Sequence, residues 1–591
     1  MHNDFSVPFV SDAYAPLIQV SGLRIAFSQG GAVTEAVQDV SFHLQKGETL
    51  GIVGESGSGK SVTALAIMQL LPKKNALIPL GEVVFDGTNL NGLAEERMRE
   101  YRGKRIAMIF QEPMTSLNPV MRCGKQVAEA ILTHSSVDKE EAKQKTLSLF
   151  RKVLLPNPEA AYQAYPHELS GGQKQRVMIA MAIANKPDLL IADEPTTALD
   201  VTVQKEILLL LKSLQQETGM AMIFISHDLG VIDEIADKVV VMHRGIIVEQ
   251  GTVDEILNHP QHPYTRGLLA CRPPVGHRLK RLPVVREFLD NQWPGGMDEM
   301  LSRLSLPDDD RKQRHQTLYQ GDVLLRVENL KVSFTATKSL FRARRHTVKA
   351  VDDVSFELFS GETLGLVGES GCGKTTLGRT LLRLIAPESG KIGYEGKQIT
   401  NLSHKELRQF RQRVQMVFQD PYSSLNPRMA IGEAILEPMT VHGLYGHATR
   451  RRDKVMELLE RVGLEAAHYR RYPHEFSGGQ RQRVCIARAL AVNPGLVICD
   501  EPVSALDVSV QAQVLNLLNE LKKDNGFTMI FISHDLSVVR YMSDRVMVMN
   551  KGKIEECGEA DALFSNPQSD YTKKLVQSIP GIKRSGLLNQ A

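Results

Sequence analysis

Apolar residues fall in short unbroken blocks along this chain. Residues 50–53, 189–192 and 221–225 form three of them, and 364–367, 496–499 and 528–532 form three more. Four of them end against glycine or aspartate. Runs of that length and flanking predict strands buried on both faces of a parallel sheet. Residues 62–71 and 376–385 follow glycine-rich loops and are patterned as helices. Residues 173–184 and 480–491, opened by glycine pairs, are patterned the same way. Alternating strands and helices predict an α/β fold.

The blocks repeat because the chain repeats. GETLGIVGESGSGKS begins at Gly47 and GETLGLVGESGCGKT at Gly361, an offset of 314. YPHELSGGQKQRV and YPHEFSGGQRQRV begin at Tyr165 and Tyr472, an offset of 307, which also relates IADEPTTALDV at Ile191 to ICDEPVSALDV at Ile498. A constant offset over that distance means a duplicated domain. The expected divisions are a first copy at 17–271, a linker at 272–322, a second copy at 323–580 and a tail at 581–591. The linker carries Pro273, Pro274, Pro283, Pro294 and Pro307. It reads as a semi-extended tether with one short helix around 297–304.

Composition narrows the classes. With 71 Lys and Arg against 68 Asp and Glu, the net charge of +3 gives no reason to expect a nucleic-acid partner. Two basic runs, at Arg342, Arg344 and Arg345 and at Arg450 to Arg452, read as solvated faces. The six cysteines contain no CxxC pair, so no zinc site or redox dithiol is expected. Residues 1–16 lack the basic-then-apolar pattern of a signal peptide. No apolar run approaches the length of a membrane span, so the chain is expected not to cross a bilayer by itself.

Three motifs carry the chemistry, each twice. Gly54, Gly57, Gly59, Lys60 and Ser61 match Gly368, Gly371, Gly373, Lys374 and Thr375 in a phosphate-loop pattern. Each copy sits between a strand block and a helix pattern, the context that the motif requires. The glycines let backbone N–H groups converge on phosphate oxygens, the lysine supplies a point charge, and the hydroxyl is placed for Mg²⁺. The blocks ending in Asp193-Glu194 and Asp500-Glu501 place one carboxylate for the metal shell and a second to activate water. Ser170, Gly171, Gly172 and Gln173, with Ser477, Gly478, Gly479 and Gln480, open a second helix whose N-terminus suits an anion.

The order of GxxGxGK[ST], FQ[ED]P, SGGQ, apolar-DE, ALD and SHD resembles the ATP-binding subunits of ABC transporters over both copies. The resemblance implies P-loop NTPase domains of ABC type, each a RecA-like core with a helical subdomain and an antiparallel β subdomain. It implies that ATP bound by one copy is also met by the SGGQ segment of the other, so both sites form within one chain. It assigns Gln111 and Gln419 to the metal and water, and His227 and His534 to the γ phosphate. Asp200 and Asp507 fall in the segment that couples the sites. Phe27 and Phe334 could stack on adenine, or simply fill the strand core. Phe476 before SGGQ and Cys372 in the second phosphate loop depart mildly from the pattern. Both copies keep the glutamate and histidine, so both are expected to hydrolyse ATP.

Two further segments, from Asn258 to Arg266 and from Asn566 to Lys573, resemble the oligopeptide/dipeptide/nickel branch of bacterial importers. So do the loops 112–119 and 420–427. The branch implies an ATPase energising import of peptides, di- or oligopeptide or glutathione-like, or a related small solute. It implies two integral membrane permeases and an extracytoplasmic substrate-binding protein as partners, with this chain peripheral on the cytoplasmic face of the inner membrane. Some of that branch hold an iron–sulfur cluster after the HPYT segment. Here Cys271 stands alone, so none is expected. The alternative is a soluble tandem ATPase acting on ribosomes or DNA. The short, proline-punctuated linker and the missing zinc motifs count against it.

Overall fold

The computed structural model describes residues 15–29, 32–72, 74, 76–112, 116–197, 199–274, 278–336 and 346–579. The basic run at Arg342, Arg344 and Arg345 lies outside them, as do residues 1–14, 113–115 and the tail 581–591. The chain divides into two compact units: residues 1–195 with 207–262, and residues 196–206 with 263–591.

In the first unit a six-stranded sheet runs in the order Ile246–Thr252, Lys238–His243, Thr49–Val53, Ala221–Ser226, Leu189–Asp193, Ile106–Ile109. All its pairings are parallel except that of the edge strand Ile246–Thr252. Every residue of Thr49–Val53, Leu189–Asp193 and Ala221–Ser226 is buried, which is why these strands are unbroken apolar runs. Ile18–Gln29, Ala32–Leu44, Ala76–Phe85 and Thr88–Asn89 form a separate antiparallel sheet. The core lies between the two sheets, around the helix Lys60–Ile67.

The second unit repeats the plan. Its six-stranded sheet runs Val414–Val417, Leu496–Asp500, Thr528–Ile532, Thr363–Val367, Arg545–Asn550, Lys553–Glu559. Its antiparallel sheet pairs Val323–Ala336 with His346–Phe359 and Ser389–Tyr394. The helices Ile431–Val441, Ala448–Arg461 and Gly478–Leu490 pack together as a helical layer. Among the described residues no helix is long and apolar enough to cross a membrane.

Helix boundaries differ from the pattern at both ends. The phosphate-loop helices begin at Lys60 and Lys374 and finish at Ile67 and Leu381, short of 71 and 385. Gln69 and Arg383 adopt left-handed backbone, with φ of 49° and 55°, which ends each helix. The linker also departs from the tether reading. Besides the expected helix, found at Gly296–Leu304, it forms Val285–Leu289 and Asp308–Tyr319. The prolines sit between or just before these helices, where they start elements rather than extend the chain. Asp308–Tyr319 has no buried residue of its own. Ion pairs hold it, with Arg311 to Glu559 and Asp561 and Arg314 to Asp544 at 3.1 Å, and at its end Tyr319 packs edge-on against Phe359.

Candidate nucleotide site

Each phosphate loop joins the C-terminal end of a central strand to a helix. Gly54 and Gly368 have φ of 156° and 151°, and a Cβ there would lie 2.2 Å and 2.1 Å from the carbonyl oxygens of Met242 and Met549. Only glycine fits so close to a neighbouring backbone. Gly57 and Gly371 also have positive φ, and Gly59 and Gly373 cap the two helices in left-handed conformation. The lysines are buried, 5% exposed in each copy. Lys60 Nζ donates to the carbonyls of Gly54 and Glu55 at 2.7 Å and 2.9 Å. Lys374 Nζ repeats this with Gly368 and Glu369 at 2.7 Å and 3.0 Å. A buried ammonium set at the mouth of a glycine-rich loop supplies a positive charge where a phosphate can meet it.

The next strand but one delivers the carboxylates. Ser61 Oγ donates to Asp193 Oδ1 at 2.9 Å, and Thr375 Oγ1 to Asp500 Oδ1 at 3.0 Å. Burial pushes the Asp193 carboxyl up to about 6. The neighbouring Glu194 charge adds to this, while the Ser61 hydrogen bond and Lys60 oppose it. Asp500 is raised in the same way, by burial first. These half-buried hydroxyl and buried carboxylate oxygens are the hard donors that a Mg²⁺ ion takes.

Glu194 and Glu501 sit at the next position with φ of 47°. Each accepts from a glutamine amide: Gln111 Nε2 lies 3.2 Å from Glu194 Oε2, and Gln419 Nε2 lies 2.9 Å from Glu501 Oε2. The same oxygens lie 3.2 Å from the Nδ1 atoms of His227 and His534. Burial alone would raise the Glu501 carboxyl, but the His534 hydrogen bond and charge more than offset it and bring it below its usual range. His534 is raised in turn: burial opposes its charge, and Glu501 outweighs burial. Asp200 belongs to the second compact unit, where its carboxylate adds to that effect.

The SGGQ segments form tightly capped helix starts. Ser170 Oγ accepts the Gln173 N–H at 3.3 Å and Gln173 Oε1 accepts the Ser170 N–H at 3.0 Å. Ser477 and Gln480 do the same at the same distances. The glycine pairs Gly171–Gly172 and Gly478–Gly479 lie inside the helices, which therefore start two residues before the expected 173 and 480. Gly479 is also needed for packing, since a Cβ there would lie 2.3 Å from Val510 Cγ1. Asp507 stands at the N-cap position of the helix Val508–Asn525.

The sequence-predicted residues thus converge within each copy on the ends of the central strands: lysine, hydroxyl, aspartate, glutamate, glutamine and histidine. The two aromatic residues differ in their surroundings. Phe334 is 46% exposed and Phe27 is half-buried against the core edge. One residue at the phosphate loop was not assigned a role from sequence. Tyr571 Oη accepts the Glu369 N–H at 3.1 Å. Its one signal was that a tyrosine recurs at the constant offset, as Tyr264.

The family described as "ABC transporter" matches residues 37–197 and 351–504. The chain belongs to the ABC transporter family. It is an ABC ATPase with two cassettes. The family "Oligopeptide/dipeptide transporter, C-terminal region" also matches, at 248–289 and 556–590. The ABC protein is 49% identical over 570 residues to the "Glutathione import ATP-binding protein GsiA" of Salmonella typhimurium strain LT2, covering 95% of this chain and 89% of that one. It is 49% identical over 571 residues to the protein of that name from Escherichia coli O157:H7, with the same coverage. A solved structure, the dimeric post-hydrolysis state of the ATP-binding cassette MJ0796 bound to ADP and Pi, is 27% identical. It covers 40% of this chain and 99% of its own, with a TM-score of 0.37.

Proposed function

We propose that this chain is the ATP-hydrolysing subunit of a bacterial importer for glutathione or similar short peptides. Its two nucleotide-binding domains, 17–271 and 323–580, would act on permeases in the inner membrane that a substrate-binding protein loads. The observation that carries the ATPase reading is the Gln–Glu–His cluster beside a phosphate-loop lysine, present in both copies. The importer reading rests on the C-terminal region match and on relatives whose names state glutathione import.

The residues act in a fixed order. Lys60 and Lys374 exchange their carbonyl partners for β and γ phosphate oxygens, whose charge they neutralise. Ser61 with Asp193, and Thr375 with Asp500, would hold Mg²⁺ together with the side-chain oxygens of Gln111 and Gln419. That ion would supply neutralisation of phosphate charge. Glu194 and Glu501 accept the proton of the attacking water, a contribution of about 10²–10⁴-fold in rate. His227 and His534 orient the glutamate and meet the γ phosphate. The SGGQ helix starts, Ser170 to Gln173 and Ser477 to Gln480, offer N–H groups to ATP held by the opposite copy. Exposed Val120 and Tyr422, in the segments after Gln111 and Gln419, are suited to meet a permease.

Affinity purification of the tagged chain from detergent-solubilised native membranes tests the reading. Two multi-span proteins are expected in the eluate, with ATPase activity stimulated by a substrate-binding protein in the presence of glutathione. Recovery with ribosomes or DNA, and no integral membrane partner, would sink the importer and favour the soluble tandem ATPase.

A further inference from the structure

The segment after each copy's last strand carries a tyrosine, Tyr264 or Tyr571, that the chemistry above does not use. In both copies a glutamate on the edge strand holds the turn that precedes it. Glu249 accepts the backbone N–H groups of Gln261 and His262 at 2.7 Å and 3.2 Å. Glu556 accepts those of Gln568 and Ser569, both at 3.0 Å. Ser569 then caps the helix Asp570–Gln577, accepting the Tyr571 N–H at 3.2 Å. Thr572, Leu575 and Val576 bury the helix's inner face. The result is a rigid strut from the edge strand to the phosphate loop, ending at Tyr571.

What the strut holds is one peptide group. The N–H of Glu369 donates to Tyr571 Oη at 3.1 Å, and the carbonyl of Gly368, the other end of the same peptide unit, accepts Lys374 Nζ at 2.7 Å. Gly368, with φ of 151°, has no Cβ to resist rotation of that peptide. A flip would turn the carbonyl away from the ammonium and re-aim the lysine. Tyr571 is separated from Glu369 by 202 residues, so this restraint is tertiary rather than local to the loop. Tyr264 is fully buried at the corresponding position of the first copy.

We propose that Tyr571 is a positioning residue for nucleotide binding at the second site: its hydroxyl fixes the Gly368–Glu369 peptide and through it the Lys374 ammonium. The proposal rests on residues 368–375 being the phosphate loop. A loop that visits its competent geometry only part of the time binds with affinity reduced by that fraction. The signature is therefore in affinity more than in turnover.

The test uses the full chain carrying Lys60→Ala, so that the second site alone holds nucleotide, titrated with a fluorescent ATP analogue and Mg²⁺. Tyr571→Phe removes only the oxygen, leaves the Glu369 N–H unpaired, and is expected to raise Kd about tenfold. In the otherwise unaltered chain it should raise KM for ATP more than it lowers kcat. Its melting temperature without nucleotide should stay close to that of the parent. An unchanged Kd in the folded variant overturns the proposal. If Tyr571→Phe does not fold, Glu556→Ala loosens the foot of the strut without touching the phenol; a raised Kd supports the proposal and an unchanged one overturns it. Lys374→Ala in the same background separates the two readings, because nucleotide binding retained there would remove the phosphate-loop assignment itself.

Discussion

Glu194 and Glu501 occupy a backbone conformation that costs a non-glycine residue about 1 kcal/mol or more, and both copies keep it. The surroundings over-determine it. The N–H of each pairs with a strand carbonyl, Ile225 or Ile532, while the carboxylate is fixed by a glutamine and a histidine. Strain held at that point aims the carboxylate out of the strand end. Glu501→Gln keeps the shape and removes the charge. Hydrolysis at the second site should fall by about 10²-fold or more while ATP stays bound. Retained radiolabelled ATP and steady-state phosphate release check this together, and unchanged steady-state hydrolysis would mean that the second site does not turn over. These residues were legible in the sequence because each lies at the end of a buried strand whose apolar run announces it. The left-handed turn itself was not, because nothing in Asp-Glu marks φ.

At the level of elements, strands and motif-bearing helices were legible, and of the linker only the helix Gly296–Leu304 was. The pattern of residues 308–319 has no apolar face, so periodicity had nothing to detect. The helix is specified by distant partners. Asp544 is the centre: it accepts the Thr363 N–H at 2.8 Å, pairs with Arg314 at 3.1 Å and lies 3.5 Å from His315 and 3.8 Å from Lys522. Burial alone would raise the Asp544 carboxyl, but His315, Lys522, Arg314 and the Thr363 N–H hold it well below its ordinary 3.8. A carboxylate depressed in the fold stabilises it fully above about pH 4, and that stability is lost as pH falls further toward the folded value. Asp544→Asn leaves buried cations without their partner and should cost about 3–5 kcal/mol at neutral pH. It should also flatten the fall in stability below pH 4. Denaturant unfolding followed at pH 7 and pH 3 measures both effects. An equal loss at the two pH values would show that the carboxylate charge is not what holds the helix.

For the molecule as a whole, duplication was the most legible feature, and it constrains how the ATPase works. On the proposed reading each copy carries two helix starts suited to an anion, one at the phosphate loop and one at SGGQ, and a copy acting alone would have use for one. On that reading two copies on one chain would supply the second partner at an effective concentration set by the linker. That linker is no slack tether, since its last helix is tied to Glu559, Asp561 and Asp544 of the second copy. Less free chain remains to be closed, so the effective concentration lies at or above the millimolar scale of a short flexible connection. Completion of the sites within one chain then predicts that ATPase activity per chain is constant on dilution from about 10 μM to about 0.1 μM, far below that effective concentration. Separate cassettes that must meet in solution would instead lose activity per chain steeply over the same range. Such a loss, in a preparation whose melting temperature is unchanged by dilution, would mean that the sites are completed between chains and that the fusion serves stoichiometry rather than catalysis.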